Sequence, residues 1–301
     1  MISLSSSMAI EGNMKSIISR TSITTYTARS RADTGFFGSL CIMFRNVVSY
    51  RELIFRMFLR DFSAGYRKSF LGVTWVLLSP LLAAATWVFM NYMGVLRPGT
   101  TAIPYPAYLL LSTSIWGLFM GFYQAASGTL DAGKGFIFQV HYPHEALLMK
   151  QVLEQISNFT IGFSVNLIVL MGFGVFPSWK IIFMPIIALP LFFLGAGIGV
   201  ITSVINVVGQ EGKRLIDYGL GILLYLTPVI YSRQVENPVL ATVIRWNPLT
   251  YLISAVRDEI ISGHIDAFRT FLVVSLISFL FFILSLRFFF LAESNVIEKI
   301  L

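Results

Sequence analysis

Between Ile181 and Val208 the chain carries no charged residue, and a helix of that length outruns the hydrocarbon thickness of a bilayer. Such a segment belongs either in the core of a large soluble domain or in a membrane. Five further apolar stretches decide between them: Val73 to Met93, Ala107 to Ser127, Ile156 to Phe176, Leu215 to Ile230 and Phe268 to Leu291. With so much of the chain apolar, no soluble domain of useful size remains to enclose them. Composition agrees, since only 12% of the 301 residues are charged and the mean hydropathy is +0.76, against roughly 25% charged residues in soluble domains. The expected fold class is therefore all-α integral membrane, with about six transmembrane helices.

The formal charge of +7 follows the membrane and does not form a nucleic-acid-binding face. Most Lys and Arg residues fall on one side of the expected spans, which by the positive-inside rule puts both termini in the cytoplasm. Residues 1–40, rich in Ser, Thr and Arg, read as a mobile polar cytoplasmic tail, and residues 41–301 as one transmembrane domain. The Arg-rich, acid-poor start also fits a mitochondrial transit peptide, but a cytoplasmic tail has the same composition. Single Cys41 excludes an internal disulfide.

The stretch from Arg51 to Pro80 organises the entry into the membrane. As a helix over Arg51 to Phe62, it places Glu52, Arg56 and Arg60 at i, i+4, i+8 on one face, with Ile54, Phe55, Met57, Phe58 and Phe62 opposite. That is the pattern of an interfacial helix; Arg51 and Asp61 break it. Residues Gly65 to Ser69 are expected to turn the chain before it dives. Further on, Asn237 to Ile261 is less apolar, with Asn247-Pro248 in its middle, and reads as two short helices re-entering the outer leaflet between spans five and six. Trp75, Trp87, Tyr92, Trp179 and Tyr231 lie near span ends, as interfacial anchors do.

Catalytic and cofactor chemistry finds little support. Gly128 to Lys134 has the GxxxxGK spacing of a phosphate loop, yet Gly135 replaces the magnesium-binding hydroxyl and an apolar helix precedes it where a strand is required. His141 and His144 with Glu145 suggest metal, but Pro143 separates the two imidazoles; a helix beginning at Pro143 with Glu145 in its first turn accounts for the same residues. Asn158-Phe159-Thr160 matches a glycosylation sequon inside a span. Gly195, Gly197 and Gly199 form GxGxG within an apolar helix, where small residues permit close helix packing. Lys150, Glu154 and Asp217 stand at span ends, so no carboxylate lies at mid-membrane to couple an ion gradient or to serve a hydrolase.

Four motifs carry a resemblance. Tyr66-Arg67-Lys68-Ser69-Phe70-Leu71-Gly72 with Trp75 and Pro80 resembles the entry to the first span in membrane subunits of bacterial ABC-2 type polysaccharide exporters, with the lysine shifted by one place. Phe138 to Leu148 is similar to their cytoplasmic loop, Leu226 to Tyr231 (LTPVIY) to their fifth span, and Asn247 to Arg257 to their external re-entrant segment. The resemblance runs from about Tyr50 to the C-terminus. It implies a homodimer in the bacterial inner membrane, partnered by two copies of a separate ATPase subunit that holds Mg-ATP; this chain would bind no cofactor, catalyse no reaction and contact no nucleic acid. It places Glu52, Arg56, Arg60, Lys134, His144 and Glu145 against the ATPase, and Asn247, Pro248, Tyr251 and Arg257 at an external gate.

The implied cargo is a lipid-linked glycan such as O-antigen. Sugar rings stack their C–H faces on aromatics and bond their hydroxyls to uncharged polar groups. Trp116, Phe119 and Tyr123 at i, i+3, i+7, with Asn158, Asn166, Tyr225 and Tyr231, fit a channel lining, and the same spacing fits helix packing. Two alternatives remain: an ABC-2 exporter of a drug or lipid, and, from a different class, a membrane glycan polymerase or transferase. Self-contained secondary transport is disfavoured by the charge-poor spans.

Overall fold

The computed structural model describes residues 34–67, 73–95, 98–133, 143–233 and 237–300. Among them every regular element is helical: α1 (Phe36–Ser49), α2 (Arg51–Arg67), α3 (Val73–Tyr92), α4 (Tyr105–Ser127), the short α5 (Thr129–Gly133), α6 (His144–Gly172), a 3₁₀ turn (Trp179–Phe183), α7 (Met184–Val208), α8 (Gln210–Tyr225), α9 (Pro238–Trp246), α10 (Pro248–Ser262) and α11 (Phe268–Ile300). Four segments among the described residues are long and apolar enough to cross a membrane: Tyr105–Ser127, His144–Gly172, Trp179–Val208 and Phe268–Ala292. The pair α9 and α10 passes the same test jointly but bends by 79° at its break.

The centre of the bundle is the contact between α4 and α7, around which α6, α11, α8, α3 and α10 are arranged. Close approach there depends on glycine. A Cβ on Gly195 would stand 2.8 Å from the Phe119 carbonyl, one on Gly199 would meet Ala126 Cβ at 2.6 Å, and one on Gly197 would meet the Phe281 ring at 2.9 Å. The GxGxG run is thus a packing surface in which α4 backs onto two glycines and α11 onto the third. Leu109, Leu111, Ile115, Phe119 and Leu191 are fully buried at this core.

Asparagine and proline set the start of both bent helices. Asn237 accepts from the amides of Val239 and Leu240 at 2.9 and 3.2 Å, and Asn247 accepts from Leu249 N–H at 3.0 Å, each followed by proline at the first helical position. Gly263, at φ 66°, ends α10 in the left-handed conformation. There the 3₁₀ turn is fastened by Ser178 N–H to Ile260 O, 2.8 Å, and Lys180 Nζ to Gly263 O, 2.7 Å.

Several expected boundaries move. Residues Phe36 to Leu40, assigned to the polar tail, begin α1; the apolar pattern there is short and was masked by its Ser/Thr-rich neighbours. The interfacial helix does not end at Phe62 but runs to Arg67, so Gly65 and Tyr66 are helical and any turn falls in 68–72, outside the described residues. The fifth apolar stretch is a 16-residue helix that begins earlier, at Gln210, and stops at Tyr225. Pro228 supplies no N–H and disfavours helical geometry at Thr227. Beyond Tyr225 the chain continues as a buried irregular segment, with Thr227 and Val229 fully enclosed.

Candidate functional site

The helix α2 is where expected partner contacts and membrane meet. Glu52, Arg56 and Arg60 form an exposed stripe, with Arg56 bonded to Glu52 at 2.5 Å. On the opposite side Ile54 is 3% exposed, while Met57, Phe58 and Asp61 are half-buried, and this side packs on α6. Phe55 and Leu59 occupy the flank between the two and remain exposed; the expected apolar face is therefore split between a docked part and an open part.

Asp61, which broke the amphipathic pattern, is the docking residue. Its carboxylate takes Lys150 Nζ at 2.7 Å and Arg60 Nε at 2.7 Å, and Lys150 also reaches Glu154 at 2.8 Å. Lys150 is nearly enclosed, its side chain 11% exposed. The hydrogen bond from Arg60, reinforced by Lys150 and only partly opposed by desolvation, holds the Asp61 carboxyl below the usual carboxylate range. An acid on α2 and a base on the first turns of α6 thus lock two elements that are distant in sequence.

The start of α6 is the other expected contact region. Its first turn opens after Pro143 with Glu145 inside it, as the sequence predicts. His144 and Glu145, however, are 6% and 2% exposed, so the first turn of α6 is packed within the protomer. Lys134 lies outside the described residues. In the GxxxxGK stretch, Thr129 to Gly133 is a helical turn, with the Thr129 hydroxyl 3.2 Å from Gln151 Oε1.

At the far end of the bundle Arg257 organises the irregular segment after α8. It is 6% exposed, donates to Tyr108 Oη at 2.7 Å, Ser112 Oγ at 3.2 Å, the Pro228 carbonyl at 3.2 Å and Ser254 Oγ at 3.1 Å, and stacks 4.5 Å from the Tyr108 ring centre. Tyr108 Oη lies 3.1 and 2.9 Å from the carbonyls of Pro228 and Tyr231, and Tyr105 donates to the Ile230 carbonyl at 3.0 Å. Asn247 Nδ2 donates to Leu226 O and Thr227 Oγ1 at 3.1 and 2.8 Å. Non-helical backbone at membrane depth is tolerated only where protein satisfies it, and these side chains do so. Of the expected gate residues, Asn247 and Arg257 belong to this network. Pro248 starts α10, and Tyr251 donates to the Arg245 carbonyl at 2.9 Å under Arg233, 4.9 Å from its ring centre.

The expected channel residues do not form one surface within the protomer. Phe119 and Tyr123 are fully buried because α4 lies against the glycines of α7. Tyr123 donates to Asp217 Oδ1 at 2.5 Å, and Lys213 closes on the same carboxylate at 3.2 Å. Asn166 is buried and donates to Ser114 Oγ. Tyr231, expected as an anchor, is also buried and donates to the Tyr225 carbonyl at 2.9 Å. All four are enclosed within the protomer. Trp116 is half-buried; Asn158 and Tyr225 are exposed, Tyr225 edge-on to Trp87 with ring centres 6.2 Å apart. Tyr218, 74% exposed and not among the expected channel residues, precedes the open backbone of Gly219 and shares the outer stripe of α8 with Leu215, Ile222 and Tyr225; the i, i+3, i+7, i+10 spacing of these four was the available signal. A groove of about 570 Å³ between α7, α8 and the α9–α10 bend is lined almost wholly by apolar side chains, among them Leu194, Ile198, Leu223 and Trp246, and offers hydrocarbon surface, not polar contacts for a sugar.

Comparison with known proteins agrees with this arrangement. The ABC-2 type transporter family pattern matches residues 52–261, from the second residue of α2 to the last turn of α10. The chain is 23% identical over 215 residues to an O-antigen export system permease protein of Myxococcus xanthus, covering 71% of this chain and 82% of that one. It is 26% identical over 216 residues to an O-antigen export system permease protein of Klebsiella pneumoniae, covering 69% and 79%. A polysialic acid transport protein of Escherichia coli is 22% identical over 212 residues, covering 70% and 81%. The match takes in the docked helix, the spans up to α7 and the bent pair together, and the chain belongs to the ABC-2 type transporter family.

Proposed function

We propose that this chain is the membrane-spanning subunit of an ATP-driven exporter that moves a lipid-linked polysaccharide, of the O-antigen kind, across the bacterial inner membrane. The observation that carries this reading is the clamp of Asp61 to Lys150. It ties α2, with its outward Glu52, Arg56 and Arg60 stripe, to a helix that enters the bilayer. A push on that stripe from a cytoplasmic ATPase is thereby delivered to α6. The relatives' names supply the cargo class, and a charge-poor bundle supports an external energy source.

In this reading both termini are cytoplasmic, six spans cross the membrane and the α9–α10 pair re-enters from outside, with the Arg257 network holding the outer mouth. Two copies of the chain enclose the path, and exposed Asn158, Tyr218 and Tyr225 are its candidate lining. Two ATPase subunits bind Mg-ATP beneath them; this chain catalyses nothing. Purified alone, the chain should neither bind nor hydrolyse ATP, and expressed with a cognate ATPase subunit should yield a complex with nucleotide turnover stimulated by the lipid-linked glycan. ATP hydrolysis by the isolated chain would sink the division of labour. Stimulation by a lipid or drug but not by the glycan would assign the cargo differently.

A further inference from the structure

Helix α1 precedes the family match, and its chemistry differs from that of α2. It is a 14-residue helix with one charged residue, Arg45, and at that length it is too short to cross a bilayer. One side is docked: Ser39 and Met43 are buried against α6 and α11, and Arg287 Nη2 fastens its start by donating to the Thr34 carbonyl at 2.8 Å. The other side is apolar yet open. Phe37, Cys41, Phe44 and Val48 recur at i, i+4, i+7, i+11, with Phe37 83% and Phe44 72% exposed.

We propose that this outer stripe of α1 lies in the acyl-chain layer of the membrane, making α1 a lipid anchor that holds the start of α2 at the bilayer. Three observations choose lipid over water or protein as the occupant. The stripe offers no hydroxyl, amide or charge for a partner protein to bond, and two phenylalanines this open are costly in water. Its docking point lies on a span: within one turn of Arg287 the α11 residues Leu284, Phe288 and Leu291 are themselves exposed and apolar, so the open stripe continues a lipid-facing surface. Exposed Arg45 sits at one edge of the stripe, where its guanidinium can extend to anionic head groups while the stem stays with the apolar face. Because the Ile54 amide donates to the Tyr50 carbonyl at 3.0 Å and Tyr50 N–H to Asn46 O at 2.9 Å, α1 runs into α2 through a hydrogen-bonded joint at Tyr50. The anchor therefore fixes where the basic stripe of α2 begins.

Cys41 is the sole cysteine and stands in the stripe, so the full native chain carries its own probe site. The protein, labelled there with bimane in mild detergent, is reconstituted into vesicles of phosphatidylethanolamine and phosphatidylglycerol, with or without brominated acyl chains. The expected result is loss of most of the fluorescence in the brominated vesicles and little loss to aqueous iodide. A control label at Arg56→Cys in a Cys41→Ser background should show the reverse order. Iodide quenching at Cys41 equal to that of the control would place the stripe in water and overturn the proposal. Protection from both quenchers would place protein over the stripe, a second copy included, and overturn it equally. The measurement needs no ATPase and no glycan, so its outcome is independent of the proposed export function.

Discussion

Arg257 illustrates how one side chain decides the shape of a segment. The turn after α8 leaves four carbonyls, those of Leu226, Pro228, Ile230 and Tyr231, without helical partners, and Arg257, Tyr108, Tyr105 and Asn247 answer them. Replacing Arg257 by Met removes the cation and leaves the Pro228 carbonyl and Tyr108 hydroxyl short of a donor, at a cost of about 3 kcal/mol. Arg257→Lys should not rescue it, since an ammonium lacks the planar fork that reaches several acceptors at once. Apparent thermal stability in detergent should fall for both variants, and a Lys variant as stable as the native chain would remove the fork from the explanation. Gly199→Leu tests the opposite end of the size scale. A side chain there meets Ala126 and the α4 backbone, and the overpacking should cost about 1–3 kcal/mol, read as loss of folded protein in the membrane fraction; normal folding would mean α4 and α7 can separate.

The Asp61–Lys150 pair is a second residue-scale test. Lys150→Met should loosen α2, visible as faster amide hydrogen exchange along it, with a coupling energy on the order of 1 kcal/mol in the double-mutant cycle with Asp61→Asn. The sign of the pH dependence follows from the depressed Asp61 value. A carboxylate whose folded value is lowered contributes stability above its unfolded value, about 3.9, and loses it as pH falls through the lower native value. Protection of the α2 amides, corrected for the intrinsic pH dependence of exchange, should therefore hold on acidification down to the ordinary carboxylate range and fall only below it.

At the scale of elements, most of the fold is legible in the sequence. Asn237-Pro238, Asn247-Pro248 and Gly263 announced the bent pair because capping and φ preferences are local. The GxGxG run announced a close helix contact because a missing Cβ has one structural use in an apolar helix. Two other features were not local. Asp61 read as an error in an amphipathic pattern because its partner, Lys150, lies far along the chain. Phe119 and Tyr123 read as channel lining or core because an aromatic stripe carries no label for the side it faces; in the protomer α4 backs onto the glycines of α7 and both rings are buried. Helix α1 escaped because its apolar pattern is short and follows directly on a Ser/Thr-rich stretch.

At the scale of the whole molecule, the proposed lipid-anchored joint between α1 and α2, the exposed basic stripe of α2 and the apolar bundle act together. In this proposal force enters through Glu52, Arg56 and Arg60 and leaves through α6. The most direct measurement is ATP-dependent movement of a lipid-linked glycan across vesicles holding this chain and its ATPase, compared between the native chain and the Arg56→Glu, Arg60→Glu double variant. Insertion should be unchanged, because both side chains are exposed, while transport should be lost or uncoupled from hydrolysis; since Arg60 also bonds Asp61, the Arg56→Glu single variant, which leaves that bond in place, should show the same loss. Native-level transport by the double variant would contradict the account.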